Sequence, residues 1–159
     1  MVKVHLLLQL LHGKIIDMGI KDANNMGAAM APAALDTLLT HFEDTKRSPS
    51  YYDGIFTGDL GHIGKEILTE LAEKRGFNIK SNYNDCGVMI FDKNSQDTHS
   101  GGSGCACCAS VFSGYLFNQL KQKKLKRILL IATGALMNST SSQQGESIPS
   151  IAHAVSIEI

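Results

Sequence analysis

The stretch RILLIATG, residues 127–134, runs through five apolar side chains with no polar alternation. A strand with one face in water alternates apolar and polar residues, so this run predicts a strand buried on both faces. Helices must then cover both sides of its sheet, which is the layered α/β arrangement.

Two amphipathic helices are clear. Leu35, Leu38, Leu39 and Phe42 recur at helical spacing and predict a helix from about Met26 to Phe42, with Asn24 or Asn25 as its cap. Pro32 falls inside it, so either an irregular first turn or a regular helix beginning near Pro32 is expected. Ile63, Ile67, Leu68 and Leu71 align on a second helix, which Gly76 is placed to stop. A third helix is predicted from Cys105 to about Gln122 on Val111, Phe112, Tyr115, Leu116 and Leu120. Strands are expected at the opening MVKVHLLLQLL, which reads as buried, around Ile55 and Phe56, at GVMIF (87–91), at 127–134 and at IAHAVSIEI. NSTSSQQGES reads as a polar loop before the last of these. The order gives a mixed, mostly parallel sheet with helices packed on it and an antiparallel partner at the end. With 159 residues, one domain spanning 1–159 is expected.

Charge excludes some partners. Fifteen Lys plus Arg balance fifteen Asp plus Glu, so no net field draws nucleic acid or an acidic membrane. KQKKLKR (121–127) reads as the solvated end of a helix. No apolar run is long enough to cross a bilayer, and the opening lacks the features of an export signal. Three crowded cysteines do not make a secreted disulfide framework, so a reducing interior is expected.

HSGGSGCACCAS (99–110) is the stretch richest in chemistry. Cys105, Cys107, Cys108 and His99 lack the second ligand pair of a structural zinc site, so no metal is expected, and no cofactor is called for. A catalytic thiol at the helix start has no base specified by spacing. GGSGCACC matches neither the P-loop nor the dinucleotide fingerprint. Small residues there also allow close helix packing. What survives is a glycine-rich turn offering N–H groups to a carboxylate or other anion. Cys86, in NYNDCG, is expected to be a buried cysteine at a turn. His41 and His153 lie on apolar stretches and read as structural, while Glu146 and Ser147 fall in a loop able to shape a pocket.

Several long stretches carry a resemblance: NNMGAAMAPAALDTLLTHFEDTKRSPSYYDGIFTGDLG, NYNDCGVMIFD, QDTHSGGSGCACCAS and KLKRILLIATGALMNSTSSQQGESIPSIAHAVSIE. Together they resemble the stage V sporulation protein AD group of the thiolase-like superfamily, from Gly13 to Glu158. Cys108 departs from the pattern, where serine is expected, and the first dozen residues fit it poorly. The resemblance implies a thiolase-like fold of two similar α/β halves, of which this chain is the C-terminal one. The nucleophilic cysteine of that superfamily lies in the other half, so no catalytic residue is assigned here. The condensing His and Asn of the second half align with Gly58 and Gly61, and glycine can neither donate a proton nor polarise a thioester. His62, followed by Lys65, is displaced from that position and reads as part of the second helix.

The resemblance also implies a function. A sporulation protein of this group binds dipicolinic acid, with its calcium, and supports its uptake into the forespore as a soluble component of a membrane channel complex. It would be cytoplasmic and peripheral to the forespore or spore inner membrane, with other channel proteins as partners and no nucleic acid. Dipicolinate is a flat ring with two carboxylates, so its site needs N–H or hydroxyl donors around an apolar slot. The candidates are Ser103, Gly104, Cys105, Ala106 and Cys107, with Asp59, His99 and Ser156 beside them. The alternatives are a thiolase-like acyltransferase of the ketoacyl-synthase type, or a truncated relic of one. As half of a two-half protein, the chain would expose apolar surface meant for the missing N-terminal half and would pair with that half or with itself.

Overall fold

The computed structural model describes residues 6–159. Five strands form one mixed sheet: β1 (Leu7–Leu11), β2 (Gly54–Thr57), β3 (Tyr83–Asp85), β4 (Arg127–Ala135) and β5 (Ser150–Glu158), in the spatial order β1-β5-β4-β2-β3. β4 pairs parallel with β2 and β2 with β3, while β5 pairs antiparallel with both β4 and β1. The helices are α1 (Met26–Thr45), α2 (Gly61–Lys74), α3 (Cys86–Ile90), α4 (Cys107–Val111), α5 (Phe117–Lys121) and α6 (Ser139–Gln143). A π-helical turn, Phe112–Leu116, joins α4 to α5. The expected α/β class, a sheet with helices packed on it, is the one observed.

β4 is central, and its two faces feed two cores. Leu129 and Ile131 join Ile55, Ala152 and Ala154 beneath α1 and α2, which bring Leu35, Leu38, Phe42, Leu68 and Ala72. Ala29, Ala31, Ala33 and Ala34 are buried on α1, and their small side chains let the helix approach β5. Two hydroxyls fasten it there: Thr37 donates to the Ala152 carbonyl at 2.9 Å and Ser150 to the Ala29 carbonyl at 2.7 Å. The opposite face holds Phe56, Ile128 and Ile157 under Val111, Leu116 and Leu120 of α4, the π turn and α5.

Five local expectations need correction. GVMIF is helical: the Asp85 carboxylate accepts the Val88 N–H at 3.2 Å and starts α3 where a strand was expected, and the third strand is Tyr83–Asp85 just before it. Five apolar residues are too few for periodicity to separate strand from helix. β1 is an edge strand with Leu7, Leu8 and Leu10 exposed, not a buried one. NSTSSQQGES contains α6, capped by Asn138. The third helix begins at Cys107 rather than Cys105, after a turn. Pro32 leaves α1 unbroken from Met26, where the Asn25 side chain accepts the Ala28 N–H.

One face of the sheet stays partly open among the described residues. β1 sets Leu8 opposite Ile157 and Leu10 opposite Val155, on the side that α4 and α5 cover only toward β2. Leu8 is 54% and Leu10 70% exposed, Val155 and Leu130 are half-buried, and His153 beside them is exposed.

Candidate functional site

The helices α2 and α4–α5 lie on opposite faces of the sheet. The first follows β2 and the second precedes β4, although the two strands are neighbours. Connections that diverge in this way open a crevice at the carboxyl ends of parallel strands, the usual ligand position in open α/β sheets. Asp59 stands at its floor. Its Oδ1 accepts the Thr133 hydroxyl of β4 at 2.8 Å, its backbone N–H donates to the Thr133 Oγ1 at 3.2 Å, and its Oδ2 accepts the Gly104 N–H at 2.9 Å. One carboxylate therefore ties both strand ends to the glycine-rich turn.

That turn is laid down by backbone contacts. His62 N–H donates to the Ser100 carbonyl at 2.7 Å and Gly102 N–H to the Gly87 carbonyl at 2.8 Å. Gly104 adopts φ +118°, a conformation that side-chain-bearing residues rarely take. A cleft of about 100 Å³ runs beside it, lined by Asn24, Asn25, Met26, Gly27, Asp59, Leu60, Gly61 and Ser100 to Ser103.

Gly58 and Gly61 flank Asp59, and neither position has room for a side chain. A Cβ on Gly58 would lie 2.7 Å from the Thr133 hydroxyl oxygen and 2.9 Å from the Thr133 nitrogen of β4. On Gly61, at φ +66°, it would meet the Ser100 carbonyl oxygen at 2.3 Å. An imidazole and a carboxamide are thus excluded by backbone packing, not merely missing from the sequence. No histidine among the described residues lines the cleft; His62 instead borders a separate surface groove with Lys65, Glu66 and Lys80.

Beneath the cleft lies a buried polar cluster that the sequence reading missed. Asp85 accepts from the Thr57 hydroxyl at 2.7 Å, the Leu60 N–H at 2.9 Å, the Gly61 N–H at 3.0 Å and the Val88 N–H at 3.2 Å. Burial pushes its carboxyl above the usual range, against the pull of those four donors. The Tyr83 and Thr57 hydroxyls are hydrogen-bonded at 2.8 Å. Asp85 is a framework group: it orients the β2–α2 turn that carries Asp59. An acidic residue just before a helix start is a capping signal, and that was the one clue to it in NYNDCG.

The thiols differ from one another. Cys107 is buried and held up at about 11 by desolvation and by Asp59 and Asp85, so it stays protonated. Cys86 is buried as expected, and its interaction with the Cys108 thiol holds Cys108 below its ordinary range. Cys105 is exposed on the turn.

Of the residues singled out by sequence, Asp59 and Ser103 line the cleft and Gly104 is bonded to Asp59, while Cys105, Ala106 and Cys107 follow Gly104 along the turn into α4. His99 and Ser156 stand apart from it. The His99 side chain is 91% exposed, 3.7 Å from Asp97, on a loop that points away from the cleft lining. Ser156 is buried on β5 toward the amino ends of β2 and β4, where it accepts from Arg47 at 3.1 Å and from the Tyr52 hydroxyl at 3.3 Å. No group of three or more His, Cys, Asp or Glu among the described residues is arranged to hold a metal.

Comparison with known proteins agrees with the motifs. The sequence model of the family described as stage V sporulation protein AD matches residues 3–158, taking in most of the opening stretch that the motifs had left outside. The stage V sporulation protein AD of Bacillus subtilis (strain 168) is 45% identical over 146 residues, which make up 92% of this chain and 43% of that relative. The chain spans less than half the length of that curated relative. On the extent of both matches, this chain belongs to the stage V sporulation protein AD family.

Proposed function

We propose that the chain binds dipicolinate as its calcium chelate in the crevice above β2 and β4, and supports its uptake into the forespore alongside membrane channel proteins. Membership of a sporulation family and the chemistry of the crevice both favour this reading. The observation that carries it is the closure of positions 58 and 61: Asp59 is fixed between two glycines that leave no room for a proton donor or an amide. Such a crevice holds a ligand without transforming it.

Asp59 decides the form of the ligand. A bare dianion would meet its negative charge, whereas calcium takes six to eight oxygen ligands and joins Asp59 to the carboxylates of dipicolinate. The N–H groups of Gly104 and Cys107 are already engaged, which leaves those of Ser103, Cys105 and Ala106, with the Ser103 hydroxyl, for the ligand's outer oxygens. The cleft is too narrow to enclose a ring on its own, so the proposal includes a second wall from a first α/β half or from another copy of this chain. The same partner would cover the open face at Leu8 and Leu10. No helix among the described residues is long and apolar enough to cross a membrane, so on this reading the channel is reached through contacts with its other proteins.

Calorimetry tests the proposal. Gly104→Val strains the turn and is expected to weaken binding of calcium dipicolinate at least tenfold, and Asp59→Asn to remove the dependence on calcium. Unchanged affinity in both variants refutes the site.

An acyltransferase reading is favoured by one observation, the lowered pKa of Cys108 close to the crevice. Intact-mass analysis after incubation with acyl-CoA separates the two. We expect no acyl adduct, and one on Cys108 would reverse the ranking.

A further inference from the structure

The α3–α4 junction gathers three sulfurs with no part in the proposed binding. Cys86 is the first residue of α3 and Cys108 the second of α4, and the two helices pack together. Cys86 and Cys107 lie in one apolar cluster with Phe56 and Val111, and Cys108 packs against its edge. We propose that Cys86 and Cys108 are a peroxide-oxidised dithiol, Cys108 attacking the oxidant and Cys86 resolving it into a disulfide that ties α3 to α4.

Access and reactivity divide the roles. Cys108 is half-buried and open to hydrogen peroxide, whereas Cys86 is fully buried. The Cys86 thiol donates to Cys108 and favours the thiolate there, the form that attacks, while Asp59 and Asp85 oppose it. The same contact, with burial, keeps Cys86 protonated until the second step. Cys107 adjoins Cys108 in sequence, and neighbouring residues pair poorly; its thiol is also held up at about 11.

The chemistry balances. The Cys108 thiolate attacks one peroxide oxygen; the O–O bond breaks, hydroxide leaves, and Cys108 becomes a sulfenic acid. The Cys86 sulfur then attacks the Cys108 sulfur. The S–S bond forms, the S–O bond breaks, and the departing hydroxide takes the Cys86 proton as water. Two thiols lose two electrons and two protons, and one hydrogen peroxide is reduced to two waters. The new bond brackets the glycine-rich turn, which lies between the two cysteines and is hydrogen-bonded to Gly87 and Asp59.

The test treats the purified chain with a small excess of hydrogen peroxide, alkylates the remaining thiols and maps its peptides by mass spectrometry. The expected result is a loss of two hydrogens per chain, a crosslinked peptide pair joining Cys86 to Cys108, Cys105 and Cys107 alkylated, and a melting midpoint raised by about 5–10 °C. Cys86→Ala should stop at a sulfenic acid on Cys108 that dimedone traps, and Cys105→Ser should leave the crosslink intact. A crosslink through Cys105 or Cys107, or Cys86 and Cys108 both alkylated after treatment, overturns the proposal, and the wild-type map decides this even where a variant fails to fold.

Discussion

Single residues set the shape of the crevice through hydrogen bonds that have no substitute. Removing the Asp85 side chain leaves two backbone N–H groups of the β2–α2 turn, that of Val88 and the Thr57 hydroxyl without their acceptor. Buried donors left unpaired cost about 1–3 kcal/mol each, so Asp85→Ala should lower stability by at least about 3 kcal/mol in urea denaturation. A loss under 1 kcal/mol would show that water reaches the cluster. His41 sets a pH limit. It is buried on α1 against Tyr52, and desolvation, helped by Arg47, holds its pKa below the ordinary 6.5. The unfolded chain then binds more protons than the folded one between the lowered value and 6.5, so stability is complete above 6.5 and declines as pH falls through that window. Replacing His41 with Gln should flatten that decline in melts taken at pH 5 and pH 7.5. An equally steep decline in the variant would place its origin elsewhere.

At the level of elements, what the sequence reveals follows how long and how regular each signal is. α1 and α2 were legible because four apolar residues recur at helical spacing, and β4 because its unbroken apolar run admits no exposed face. β3 was not, because three residues with Asn and Asp among them carry no strand pattern. Asp85 was missed for a related reason: a charged residue reads as surface, and only its partners reveal that it is buried. Asp59 was named on weak grounds, and its central place depends on Thr133, 74 positions along the chain. Ser156 was misplaced relative to the turn because strand register, invisible in a single sequence, puts it toward the far end of the sheet. The close approach of β2, β4 and the turn also makes a prediction. Gly61→Ala should destabilise by about 2 kcal/mol or more, since its Cβ meets backbone and its φ is positive. Gly114→Ala, with open space around the added carbon, should be neutral or slightly stabilising. Equal effects of the two in thermal melts would mean that the turn is looser than it stands here.

Among the described residues, one side of the sheet is only partly covered. The open edge at β1, with Leu8 and Leu10 exposed, should drive self-association as concentration rises. Leu8→Lys with Leu10→Lys should shift sedimentation toward monomer without altering the far-ultraviolet circular dichroism, and a wild-type chain that stays monomeric throughout would remove the case for a covering partner. On the proposed function, the crevice holds its ligand and leaves it unchanged. Titration calorimetry with dipicolinate, run with and without calcium and followed by mass analysis of the recovered ligand and protein, tests this most directly. Saturable heat that requires calcium, with ligand and protein both recovered at their starting masses, is the predicted result; no heat in either titration, or a covalent change in either component, would contradict it.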